Sequence, residues 1–233
     1  RLIGDIGEKS ERDRLELDLR AALGTTYMAW LGWPAAEVED TLEPALALCR
    51  KAGNSEHSFS VLFGLYLHHA VHCRFEESIA LFEEMITLAR DIADSGMEIT
   101  GLMAACVTHY WMGDFAGAAE YRDRVLERYD FDAHRHLVES TNHDPKTTVL
   151  GWDSQMQWML GYPERAKTSE QDMVALTRRL AHPFDLTFVR PTGAGFYGMR
   201  REPDELRKRT NEATEIAIEY GFPLVEHLMV PLW

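Results

Sequence analysis

Cysteine is scarce. The 233 residues hold three, Cys49, Cys73 and Cys106, an odd number with no close pair. That excludes a disulfide framework and points to a reducing compartment, so the cytoplasm is the expected location. Basic residues are outnumbered, 24 Lys and Arg against 38 Asp and Glu, for a formal charge of −14. Such a balance disfavours nucleic acid and anionic membrane as partners. Long apolar runs are also missing: the longest, Ser60 to Val71, is interrupted by His68 and His69 and is too short to span a bilayer. Catalytic signatures are lacking too. Gly193-Ala194-Gly195 has neither a following Gly-Lys-Ser/Thr nor a preceding strand, and no Gly-x-Ser-x-Gly, Cys-x-x-Cys or His-Glu-x-x-His occurs. No catalytic, cofactor or metal site is therefore expected. No alternating strand pattern is convincing, since Leu15, Leu19, Ala22 and Leu23 fit one face of a helix better than Leu15, Leu17 and Leu19 fit a strand.

What the chain does have is a repeated turn. Cys73-Arg74-Phe75-Glu76-Glu77-Ser78, Gly113-Asp114-Phe115-Ala116-Gly117-Ala118, Gly161-Tyr162-Pro163-Glu164-Arg165-Ala166 and Arg201-Glu202-Pro203-Asp204-Glu205-Leu206 place equivalent residues at 75, 115, 163 and 203, in steps of 40, 48 and 40. One step back lies Ala35, in Gly32-Trp33-Pro34-Ala35-Ala36-Glu37. A period one helical hairpin long predicts an all-α array of antiparallel helix pairs, with hairpin turns near 33, 74, 114, 162 and 202 and one domain over 1–233. Such an array presents a binding surface rather than a single cleft.

The spacing predicts helices over 9–31, 35–52, 55–72, 75–95, 97–112, 115–128, 145–160, 164–181, 184–199, 203–220 and from 223 onward. Asp114, Asp144-Pro145 and His182-Pro183 supply helix starts, and Gly53, Gly96 and Gly221 supply stops. Ala118 or Ala119 is expected to face the partner helix of its hairpin. Two places break the rhythm. The 48-residue step inserts about eight residues between Tyr129 and Asp144, and Pro191, Gly193 and Gly195 weaken the helix expected at 184–199, making it a candidate hinge or pocket wall. Both ends read as cut, so a longer polypeptide is expected.

Aromatic and long apolar residues recur on the first helix of successive hairpins. Phe63, Met103, Tyr110, Trp158 and Tyr197 are candidate concave-groove residues, with core packing as the plainer alternative. His68 and His72 stand four apart on one helix, and Cys106 and His109 follow one repeat later, so a metal centre is a further reading, as it is for His134, His136 and His143 in the insertion.

Gly113-Asp114-Phe115 followed by Ala118 or Ala119 resembles the core of the tetratricopeptide class. A closer likeness lies in Arg14-Leu15-Glu16-Leu17, Asp144-Pro145, Leu160-Gly161-Tyr162-Pro163, Ala181-His182-Pro183-Phe184, Arg200-Arg201-Glu202-Pro203 and Gly221-Phe222-Pro223-Leu224. In this order they resemble the helical C-terminal region of bacterial multidomain signalling proteins carrying a class III adenylate/guanylate cyclase domain and a predicted ATPase domain. The resemblance covers almost the whole chain and departs from the family at Arg190 to Gly198, where related chains carry an uninterrupted apolar helix. It implies a right-handed superhelical, non-catalytic module that engages a protein segment, sibling domains or a small-molecule effector. The alternatives are a stand-alone peptide-binding adaptor and a His/Cys metal protein or enzyme.

Overall fold

The computed structural model of the chain describes residues 8–53, 57–141 and 144–222, apart from the side chains of Ser140, Phe184 and Phe188. Every regular element among the described residues is a helix. No helix among them is long and apolar enough to cross a membrane. The helix expected from 223 onward, the helix start at 55 and His143 lie outside the described residues.

The chain divides into two compact units, Arg1–Ala104 and Ala105–Trp233. The first holds α1 (Lys9–Trp30), α2 (Ala36–Ala52), α3 (Ser58–Val71), α4 (Phe75–Asp91) and the start of α5 (Ser95–Trp111). Here α2 packs on α1 and α3, α4 packs on α3, and α1 also meets α3. The second unit holds the end of α5, α6 (Phe115–Arg128), the short α7 (Phe131–His134) and α8 (Leu137–Thr141), then α9 (Pro145–Met159), α10 (Pro163–Leu180), α11 (Pro183–Met199) and α12 (Pro203–Tyr220). In it α9 packs on α6, α10 and α11, and α11 packs on α10 and α12.

The repeated turns share one backbone solution. Cys73, Gly113, Gly161 and Arg201 have positive φ, at 55°, 77°, 87° and 59°. The following residue donates back five positions in each turn: Arg74 N to His69 O (3.0 Å), Asp114 N to His109 O (2.9 Å), Tyr162 N to Gln157 O (2.8 Å) and Glu202 N to Tyr197 O (2.9 Å). That is the Schellman closure, which satisfies the last carbonyls of one helix while reversing the chain into the next. Gly32, with φ 86°, sits in the corresponding turn between α1 and α2. Three residues into the second helix the position is small and buried, with Ser78, Ala118 and Ala166 each 0% exposed. Ala119 is only half-buried, so Ala118 is the residue that faces the hairpin partner.

A second device also repeats. Leu42 of α2 is buried between two glycines: a Cβ on Gly24 of α1 would stand 2.3 Å from its Cδ2, and one on Gly64 of α3 would stand 2.6 Å from its Cδ1. In the second unit Met173 of α10 lies between Gly151 of α9 and Gly193 of α11: an added Cβ would stand 3.4 Å from its Sδ at Gly151 and 2.6 Å from its Cε at Gly193. Each second helix thus drives one long apolar side chain into the gap between two first helices. Glycine in a helix interior costs about 1 kcal/mol against alanine, and burial of the inserted side chain, worth about 1.5–3 kcal/mol, offsets it.

Cap chemistry fixes the starts. Asp114 accepts from Gly117 N (3.0 Å) and Asp144 from Thr147 N (2.9 Å), and Pro145, Pro163, Pro183 and Pro203 each open a helix, where a missing N–H costs nothing. One expected stop is corrected: α4 ends through Ala93, at φ 55°, while Gly96 is buried in the first turn of α5. The insertion folds as α7 and α8, a local helical preference too short for periodicity to reveal.

Candidate functional site

The second unit has an unusually polar interior. On α9, Asp153, Gln155 and Gln157 are buried, as are Ser169 and Glu170 on α10 and Arg190 on α11. Asp153 joins three elements: its Oδ1 receives Arg122 Nη1 of α6 (2.5 Å) and Gln157 Nε2 (3.0 Å), and its Oδ2 receives Ser169 Oγ (2.5 Å). Glu170 ties α10 to two more, taking Tyr197 Oη of α11 on Oε2 (3.0 Å) and Arg209 Nη1 of α12 on Oε1 (3.2 Å). Burial raises the Glu170 carboxyl above its ordinary range, with Arg209 and Tyr197 opposing the rise. Burial, then the Glu170 charge, pushes the Tyr197 phenol up to about 12. Arg190 pairs with Glu212 Oε2 at 3.0 Å, and burial lowers its pKa. These pairs set which helix meets which. Removing one partner of a buried pair costs about 3–5 kcal/mol because it strands the other charge.

The sequence-nominated residues take distinct places. Phe63 (7% exposed) and Met103 (4%) belong to the first unit, and Tyr110 (9%) and Tyr197 (9%) to the second, so each leaves little surface for a ligand. Tyr110 donates to Gln155 Oε1 (3.1 Å), whose Nε2 donates to the backbone oxygen of Thr192 (2.6 Å). Half-buried Trp158 meets Phe196 edge-on at 5.7 Å. The structure therefore joins Tyr110 to α11 through Gln155, and it places Trp158 and Tyr197 in one apolar cluster with Phe196 and Ala166. The helix α11 is continuous from Pro183 to Met199 with Pro191 inside it. Gly193 admits Met173, and Gly195 admits Gln155, whose amide would stand 3.1 Å from an added Cβ. Both glycines thus have a packing reason.

Surface access lies elsewhere. A groove of about 450 Å³ runs beside α6, α9 and α10, lined by Leu126, Leu150 and Leu176, with Lys146, Arg179 and Asp172 among them. The insertion borders the same cations: Lys146 Nζ stands 5.4 Å from the Tyr129 ring centre, and the Arg179 guanidinium 3.4 Å from that of Phe131. Volume and lining fit a small apolar group or a side chain flanked by acidic groups.

The histidines divide between the units. In the second, His109 Nδ1 meets Asp114 Oδ2 at 2.7 Å, and burial pushes the Cys106 thiol up to about 12, leaving a protonated, inert sulfur. His134 is buried and its Nδ1 accepts from Asp130 N at 2.9 Å. In the first, His72 Nδ1 lies 2.8 Å from His68 O, and His68 Nδ1 lies 2.9 Å from Trp33 O. Sequence reasoning passed over Glu39, Glu43 and His69, whose ligating atoms come within 4.8 Å of one another. The signal was the i, i+4 acid pair Glu39 and Glu43, one helix before the adjacent histidines His68 and His69. It likewise passed over Glu170, although it sits on the apolar stripe Ala166, Met173, Val174 and Thr177.

No protein-family model matches this sequence, and no curated protein matches it.

Proposed function

We propose that the chain is a non-catalytic helical-repeat module. In this reading its helix pairs continue as a right-handed superhelical array of the tetratricopeptide-like kind. It binds a protein segment or a small-molecule effector and regulates ATPase and adenylate/guanylate cyclase domains of the same polypeptide in cytoplasmic bacterial signalling. The observation that carries the repeat reading is the recurrence of one turn conformation at Cys73, Gly113, Gly161 and Arg201. A unit built to pack on copies of itself extends a surface rather than enclosing a cleft. The link to cyclase proteins is supported by the strings from Arg14-Leu15-Glu16-Leu17 to Gly221-Phe222-Pro223-Leu224 alone. Purified chain, incubated with ATP or GTP, is expected neither to hydrolyse nor to cyclise them. Nucleotide turnover abolished by a point substitution within the chain would overturn the reading.

The groove beside α6, α9 and α10 favours a second reading, a stand-alone peptide-binding adaptor. The coding sequence on the N-terminal side separates the two. A phosphate-binding loop and a cyclase domain there support the regulatory module, and their absence from the full-length protein supports the adaptor.

A further inference from the structure

We infer that the groove beside α6, α9 and α10 takes the small-molecule effector of the module, that this effector is an organic monocarboxylate with an apolar body, and that the assignment rests on the module reading. The groove holds about 450 Å³, the size of a small-ligand site. Its chemistry is sorted along its length. The helices α9 and α10 pack as a hairpin around the turn at Gly161, so the start of α9 lies beside the end of α10. Lys146 and Arg179 therefore stand at one end. Leu126, Leu150 and Leu176 line the middle. Asp172 precedes Arg179 by two turns of α10, about 10 Å along the axis, and marks the other end.

Apolar grooves between helices are common. The independent observation here is the state of the two cations. In the same unit Arg122, Arg190 and Arg209 each pair with a carboxylate. Lys146 and Arg179 pair with none among the described residues, although the chain carries a formal charge of −14. Each meets an aromatic ring instead. The Arg179 guanidinium carbon stands 3.4 Å from the centre of the Phe131 ring, a separation that suits face-to-face stacking. Stacking uses the face of the guanidinium and leaves its in-plane N–H donors open, while holding the group in place. Lys146 Nζ stands 5.4 Å from the Tyr129 ring centre. Asp144 feels the Lys146 charge, but its own oxygens accept from Tyr129 Oη and the Thr147 N–H.

Two cations at one end of an apolar groove are complementary to one carboxylate followed by an apolar chain. Asp172 adds selectivity. It pairs with no cation among the described residues, and it repels a second carboxylate at the far end, so a monoacid is favoured over a diacid.

Calorimetric titration of the full chain with sodium octanoate tests the site. One saturable octanoate per chain is expected. Octanol, with the same tail and no charge, should bind about tenfold or more weakly. Octanedioate should also bind more weakly than octanoate. Arg179 and Asp172 are exposed, so Arg179→Gln and Asp172→Asn should keep the native melting temperature. Arg179→Gln should weaken octanoate about tenfold and leave octanol unchanged. Asp172→Asn should bring octanedioate close to octanoate. Arg207→Gln, at an exposed position of α12, is the control and should change nothing. Absence of saturable octanoate binding, equal binding of octanol, or an Arg179→Gln variant that binds octanoate normally would overturn the site. Saturable binding of a short leucine peptide without octanoate binding would overturn it in favour of the adaptor. Nucleotide turnover, measured separately, decides the module reading whichever way the titration falls.

Discussion

Replacement of Asp185 by Asn should stabilise this protein, and increasingly so as the pH rises. Asp185 and Asp144 are each 0% exposed and lie side by side in the second unit. Asp185 Oδ1 takes Asp144 N at 3.1 Å, and Thr147 Oγ stands 3.0 Å and 3.2 Å from its two oxygens. That hydroxyl also stands 3.0 Å from Asp144 O, and it has one hydrogen to give. If Asp185 is protonated, it donates to Thr147 Oγ while Thr147 donates to Asp144 O, and every group is served. Burial, reinforced by the Asp144 charge, accordingly raises the Asp185 pKa to about 7. Asp144 is raised as well, by burial, against donation from Tyr129 Oη at 2.6 Å and its Thr147 cap, with Lys146 also opposing the rise. The unfolded chain releases the Asp185 proton near pH 3.9. Below that pH both states hold the proton and nothing is lost. Between about 4 and 7 the folded state binds more protons, so stability falls as pH rises. Three pH units at about 1.4 kcal/mol each set a ceiling of about 4 kcal/mol lost by pH 8. Asn keeps the shape, accepts from Asp144 N and donates to Thr147 Oγ without titrating. Denaturant unfolding of wild type and Asp185→Asn from pH 4.5 to 8 should show a gap that widens by about 2–4 kcal/mol in favour of the variant. Carboxylates other than Asp144, which is coupled to Asp185, titrate equally in both chains and cancel. A gap constant to within about 0.5 kcal/mol across this range would refute the reasoning.

Two further substitutions test the repeat geometry. Ala118→Leu should cost about 1–3 kcal/mol by overpacking the closest approach of its hairpin, read as a lowered melting temperature, while Ala119→Leu at its half-buried neighbour should be nearly silent. Arg201→Gly should raise stability by about 0.5–1 kcal/mol in the same assay, because φ of 59° strains a residue with a Cβ and suits glycine.

The helices were legible because their signals are local. Apolar periodicity, Asp and Pro at the starts and left-handed residues at the stops all lie within a turn or two of the features they specify. The exceptions follow the same logic. Gly96 carried the expected stop at the end of α4, but Ala93 supplies the left-handed residue, a conformation glycine favours without owning. Ile92 continues the apolar spacing of the buried Leu81, Met85 and Leu88 yet is 52% exposed, because α4 ends at Asp91. The interior charges were not legible, since each is explained only by a partner far along the chain. Glu170 on an apolar stripe violates the pattern until Tyr197 and Arg209 arrive from α11 and α12. His68 is an ordinary helix-end histidine until Trp33 and Glu39 come beside it from the preceding turn and α2.

The glycines were legible but open to a different reading. Gly193 and Gly195 weaken an isolated helix, which suggested a hinge. Helix propensity is a per-residue cost of about 1 kcal/mol, and tertiary packing of the size gained by burying one large side chain exceeds it. Gly24 and Gly64 are 40 residues apart and receive Leu42 from both sides, just as Gly151 and Gly193 receive Met173. Their spacings, 40 and 42 residues, stay close to the 40-residue step of the turns, so these interior glycines mark where a second helix locks two first helices together. The insertion obeys the same economy of contacts. It lengthens one step of the repeat to 48 residues, yet its first residue, Tyr129, reaches Asp144, which caps α9 and abuts Asp185. Tyr129 therefore helps to close off the buried acid pair at the start of α9, and the pH response argued for Asp185 depends on that burial.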